Sequence, residues 1–131
     1  MNNSTKIDDK MLLKHQVVAI IEGLEQGITY DQCGMDHEER GAHKDDVISG
    51  WDYVEDSLNI EYMISSEGQY LGARILVAFG GPDIWINTRN QTVEGAWWGD
   101  HHTQSYLADA MDINDACEEL YSCNIHNFLN I

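Results

Sequence analysis

The side chains of this chain best equipped for chemistry are its histidines and their neighbours. Asp100, His101 and His102 are consecutive, and His37 and His43 stand in a Gly-containing acidic stretch close to Cys33. Carboxylate, imidazole and thiolate are the ligands that zinc and related ions take. Neighbouring residues of an extended chain project to opposite sides, however, and the sequence has neither a helical His-x-x-x-His nor a Cys-x-x-Cys pair. For nucleophilic catalysis, no Gly-x-Ser-x-Gly is present, and Cys33, Cys117 and Cys123 carry no local signature. The Gly80-Gly81-Pro82-Asp83 run lacks the Lys and Ser/Thr of a phosphate loop and reads as a turn. The expectation is a non-enzymatic protein without a cofactor. The competing reading is a small metal-dependent enzyme built on Asp100, His101 and His102 with His37 or His43.

Charge is the stronger signal. Asp and Glu number 23 against 7 Lys and Arg, a net charge of −16. Residues 31–67 hold eleven acids and two bases, and residues 90–131 hold seven acids with neither Lys nor Arg. Such a field repels phosphates and anionic headgroups, so the expected partner is a basic protein rather than nucleic acid or a membrane surface. Over 45–58, Val47, Trp51, Val54 and Leu58 recur at helical spacing, while Asp45, Asp52 and Asp56, with Glu55 beside them, fall on the opposite side. This predicts a helix presenting a carboxylate ridge, extended by Asp46 and by Asp36, Glu38 and Glu39 of the preceding loop. Regularly spaced carboxylates imitate phosphates, and a nuclease complex or other nucleic-acid-binding protein offers Lys and Arg placed for such charges. Tyr70, Arg74, Trp85 and Trp98 supply the aromatic and Arg anchor types favoured at interfaces, on one face of a sheet.

The elements that must position these residues follow from hydrophobic spacing. Leu13, Val17, Ile20, Ile21 and Leu24 predict a first helix from Asp8 to Gln26, capped by Asp8 or Asp9 and ended by Gly27. Thr29 to Lys44 reads as a long loop, and Asp45 to Leu58 as the second helix. Alternation then predicts strands at Ile60–Ile64, Tyr70–Phe79, Ile84–Thr88 and Thr92–Trp98, the second with Leu71, Ala73, Ile75, Val77 and Phe79 on its core face. Trp97 joins Val93 and Gly95 towards the core. A last helix spans Asp112 to Cys123, with Asp112 as its cap. The expected architecture is one acidic α+β domain over 1–131, a four-stranded antiparallel meander with helices on one face, in the order ααββββα. The tail from Ile125 to Ile131 is apolar enough to dock on the core or on a second subunit, which leaves a homodimeric interaction module as a third reading. With no apolar run near the roughly 18 residues that span a bilayer, a polar start from Met1 to Lys10, and an odd, scattered set of Cys, the expected location is the cytoplasm.

The stretch Ala73-Arg-Ile-Leu-Val-Ala-Phe-Gly-Gly-Pro-Asp-Ile-Trp-Ile-Asn-Thr-Arg89 followed by Thr92-Val-Glu-Gly-Ala-Trp-Trp-Gly99 resembles a group of short hypothetical proteins of bacteria, phages and mobile elements. Asp46-Val-Ile-Ser-Gly-Trp-Asp-Tyr53 and Glu118-Glu-Leu-Tyr121 share that resemblance. It implies a common domain and carries no catalytic motif. In size and charge the chain is also similar to anti-CRISPR and anti-restriction inhibitors. That similarity implies a bacterial cytoplasmic anti-defence protein that binds a nuclease complex.

Overall fold

The computed structural model describes the backbone of residues 3–129 and the side chains of residues 10–123. Helices α1 (Asn3–Gln26), α2 (Tyr30–Cys33) and α3 (Gly50–Glu55) precede strands β1 (Asn59–Ile64), β2 (Tyr70–Ala78), β3 (Asp83–Asn87), β4 (Thr92–Trp97) and β5 (Asp100–Ser105), and α4 (Ile113–Leu129) closes the chain. The class is α+β, as the spacing predicts. The sheet has five strands rather than four, all antiparallel and in sequential order. The fifth, Asp-His-His-Thr-Gln-Ser, is missed by hydrophobic alternation because it is polar on both faces, a composition that suits a sheet edge.

The core forms where the apolar alternates of the sheet meet the helices. Ile75, Ile86 and Val93 lie in register across β2, β3 and β4, and all three are fully buried. Leu13, Val17, Ile21 and Leu24 form the buried stripe of α1, which packs on β4 and β5. Gly95 allows this approach: a Cβ there would stand 2.9 Å from both Leu13 Cδ1 and Val17 Cγ2. Helix α1 starts five residues before the expected Asp8, so Asp8 and Asp9 lie within it rather than at its start. Helix α4 packs on β2 and α3, and Tyr121 Oη donates to Gly68 O at 2.6 Å, fastening it to the β1–β2 turn. Its cap is Asp109, not Asp112: the Asp109 carboxylate accepts from the backbone N–H of Ile113 at 2.9 Å and of Asn114 at 3.1 Å, whereas Asp112 adopts φ 56°. The expected docking of the tail concerns side chains beyond Cys123, outside the described residues.

The predicted helix from Asp45 to Leu58 is overturned. Only Gly50–Glu55 is helical, because residues 44–48 run antiparallel beside 28–31 and take their backbone bonds from that segment. Tyr30 N–H donates to Asp46 O, Asp31 N–H to Lys44 O, and Ile48 N–H to Ile28 O. Ser49 then caps α3, accepting from Asp52 N–H at 3.1 Å. Val47 and Leu58, expected in the buried stripe, are exposed. Within the expected long loop, Thr29 and Gln32 form a capping box around α2, and Gly34 ends it at φ 76°.

Candidate functional site

The carboxylates of the expected ridge divide into two groups. Asp52 is structural: its Oδ2 accepts from Tyr30 Oη at 2.9 Å and pairs with Arg40 Nε at 3.2 Å, with the side chain 17% exposed. Asp36 Oδ1 accepts from Glu38 N–H and Glu39 N–H, folding the turn that carries them, and Asp46 Oδ2 accepts from His43 N–H. Glu38, Glu39, Asp45, Glu55 and Asp56 are exposed and have no ion pair among the described residues. The acidic surface therefore exists as two loops and the end of a short helix, without the regular spacing of a helical ridge.

The expected aromatic sheet face also splits. Arg74 and Trp85 do come together, the guanidinium 4.4 Å above the indole centroid, with Glu61 at 3.0 Å and Glu94 at 3.2 Å from the two terminal nitrogens. Asn87 Nδ2 and Thr92 Oγ1 donate to the second Glu94 oxygen, so this ladder on the face opposite the core is satisfied within itself. Tyr70 is not part of it. Met63 pairs with Gly72 and Ile64 with Tyr70, which leaves Leu71 as the extra residue of a bulge and reverses the faces beyond it. Leu71 turns outward, and the Tyr70 ring lies 6.0 Å from Tyr121 with its hydroxyl donating to Asn114 Oδ1 at 2.8 Å. A second irregularity at Val77 ends the alternation there, and Phe79, expected in the core, is 73% exposed. Trp98 leaves β4 altogether. It forms with Gly99 the two-residue turn to β5, at φ 52° and 85°, and is 82% exposed, while Trp97 beside it is only partly buried. Positive φ at both turn residues is the signature of a type I′ hairpin, where a bulky side chain is disfavoured.

The histidine set is dispersed. His101 pairs with Ala96 and His102 with Gly95, so strand alternation sends them to opposite faces. The His102 Nε2 lies 3.1 Å from Gln104 Oε1, while His37 and His43 sit in the loop before α3. Among the described residues no three metal-ligating side chains gather.

What sequence spacing did not reveal is a groove between α3 and α4. Gly50 fits at its floor because its Cα abuts the carbonyls of Met111 and Asp112; a Cβ would lie 2.6 Å from each. Buried Ile48, Met111 and Ala116 complete the apolar floor, and Trp51 forms a wall, donating from Nε1 to Glu119 Oε2 at 2.7 Å. Its volume is about 450 Å³; a second concavity of about 510 Å³ adjoins it at Asp115 and Glu119, and the described residues lining that one, these two with Glu118, Ser122 and Cys123, all belong to α4. The only signal in the sequence was the i, i+3, i+4 repeat of Asp115, Glu118 and Glu119.

Buried titratable groups belong to the fold. Burial, reinforced by the Asp109 carboxylate, pushes the Cys117 thiol up to about 12, and burial raises Tyr70 to about 12. Tyr53 rises to about 12 through burial and then the nearby Asp56. Tyr30 is raised by burial and by its bond to Asp52.

Comparison of the chain with protein-family models, curated proteins and solved structures yields no match. Function is therefore read from geometry and charge.

Proposed function

We propose that the protein is a non-enzymatic acidic inhibitor or regulator of a nucleic-acid-binding protein, a bacterial defence nuclease of the CRISPR or restriction type, whose basic surface it occupies. The observation that carries this reading is the uncompensated carboxylate surface. Among the described residues only Asp52, Glu61 and Glu94 lie within ion-pair distance of an Arg or Lys. The remaining acidic groups repel one another in the free protein, and a complementary basic surface relieves that repulsion while accelerating encounter. Trp98, held out at the hairpin tip where neither burial nor backbone preference favours it, supplies an aromatic anchor of the kind that gives lasting contact.

The test is charge reversal at exposed positions that do not support the fold. Asp45→Lys, Glu55→Lys and Asp56→Lys together should weaken capture of the partner by about tenfold or more, with stability changed by no more than about 0.5 kcal/mol per site. Asp52 is left intact in this variant, because its loss would strand Arg40 and the Tyr30 hydroxyl. Undiminished capture by the folded triple variant removes the carboxylate mechanism at this surface.

A further inference from the structure

We propose that the groove between α3 and α4 is the docking site for an extended, Lys/Arg-bearing segment of the partner protein, an assignment that rests on the basic-partner reading above and gives it an address. The groove combines an apolar floor with a rim of a single sign. Asp112 and Asp115 are exposed along one side, Glu118 is exposed next to them on α4, Glu119 is tied to the Trp51 indole, and residues 90–131 contain no Lys or Arg to neutralise them. Asp115 lies one helical turn from both Glu118 and Glu119, a like-charge arrangement that disfavours an isolated helix and is relieved by an incoming cation. Trp51, partly exposed beside these carboxylates, offers an indole on which a guanidinium or ammonium can rest.

Shape narrows the occupant further. From Asp112 to Glu119, where residues of both α3 and α4 line it, the groove follows α4 for about 10 Å at the helical rise, the reach of about three extended residues. The floor at Gly50 and Ala116 admits small or aliphatic side chains, so the segment that fits alternates these with basic residues. Charge complementarity and the small-residue floor together favour a peptide segment over a flat basic surface.

The experiment uses the full chain, labelled with nitrogen-15, and two synthetic peptides of about ten residues. One alternates Lys or Arg with Ala or Leu; the other has Gln at every basic position. The basic peptide should shift the Trp51 indole N–H and the backbone amides of 112–123, and the Gln peptide should not. Asp112→Asn, Asp115→Asn and Glu118→Gln combined should weaken the basic peptide about tenfold, while Glu38→Gln, Glu39→Gln and Asp45→Asn combined should alter it by less than about twofold. The first set is benign to the fold, since Asn accepts the left-handed backbone at position 112 and Glu119 keeps its bond to Trp51. Ala110→Arg, which places a cation at the groove edge, should compete with the peptide as a second check. Shifts scattered over residues 36–46, with equal losses in both triple variants, would overturn the groove and leave the basic-partner reading standing. Absence of any shift with the basic peptide overturns the groove as well.

Discussion

Asp52 and Asp56 occupy one helical stripe in the sequence and do different work in the molecule. Asp52 closes a three-residue network with Tyr30 and Arg40 that ties the loop before α3 to the core, while Asp56 faces water. Residue type and spacing identified where negative charge accumulates, but which carboxylate is used internally depends on the two basic residues of 31–67, of which Arg40 folds back onto Asp52. The cysteines show a similar division. Cys33 and Cys123 are exposed, and Cys117 is fully buried with its thiol held protonated by burial. Because the thiolate is the nucleophile, alkylation of the native protein near neutral pH should stop at two adducts, with a third appearing only in denaturant. Mass spectrometry counts the adducts, and rapid modification of Cys117 in the native state would contradict its placement.

The raised tyrosine and cysteine values have a definite consequence for pH. Tyr53 and Tyr70 ionise near 10 when unfolded and near 12 when folded, and Cys117 shifts from 9 to about 12. The unfolded chain therefore releases protons that the folded protein retains, so these groups contribute stability that is complete below about pH 9 and lost as pH rises towards about 12. Urea midpoints measured from about pH 8 to about pH 11 should fall steadily. Tyr70→Phe should make the slope shallower, and a flat profile in the parent protein would contradict the burial of these groups.

At the scale of elements, long apolar periods were the most legible part of the sequence. The core stripe of α1 and strands β2 to β4 are where spacing placed them, since Leu13, Val17, Ile75, Ile86 and Val93 have no alternative to burial. Three features were hidden for separate physical reasons. Strand β5 draws its order from backbone pairing with β4, which leaves no apolar trace. The bulge at Leu71 changes face with only the adjacent Gly72 to mark it, so alternation counted through it assigned Tyr70 to the wrong side. Helix α3 lost its first turn to a tertiary backbone pairing with residues 28–31. Gly95 and Trp98 test the element packing with opposite signs. Gly95→Ala forces a methyl against Leu13 and Val17 and should cost about 1–3 kcal/mol. Trp98→Asn replaces an exposed bulky residue at φ 52° with one suited to a type I′ turn and should stabilise the hairpin by about 1 kcal/mol, while weakening partner binding. Chemical denaturation of both variants checks the pair; a destabilised Trp98→Asn would show that the indole packs rather than waits for a partner.

For the whole molecule, the net charge of −16 was readable at once, and its distribution only in part. Sequence directed attention to residues 36–56, yet the carboxylates that rim a concave apolar surface are those of α4, brought beside Trp51 by the close contact of Gly50 with the 111–112 backbone. That juxtaposition joins residues more than fifty positions apart, and no local pattern encodes it. Similarly, Arg74 was legible as an interface anchor but is consumed by Glu61, Glu94 and Trp85 within the sheet. Among the described residues, what remains for a partner is acidic surface with exposed Trp98 and Phe79 and the Trp51 wall as aromatic features. No helix among the described residues is long and apolar enough to cross a membrane.

The acidic-inhibitor reading is tested by affinity capture with this protein from nuclease-treated bacterial lysate, washed at roughly 0.1 M and then 1 M salt, where the screening length falls from about 10 Å to about 3 Å. Mass spectrometry should identify a basic nuclease or CRISPR component that is retained at the lower salt, released at the higher, and not recovered by the Asp45, Glu55, Asp56 charge-reversal variant. Recovery of a specific partner whose retention is indifferent to both salt and charge reversal would rule out binding through the carboxylate surface.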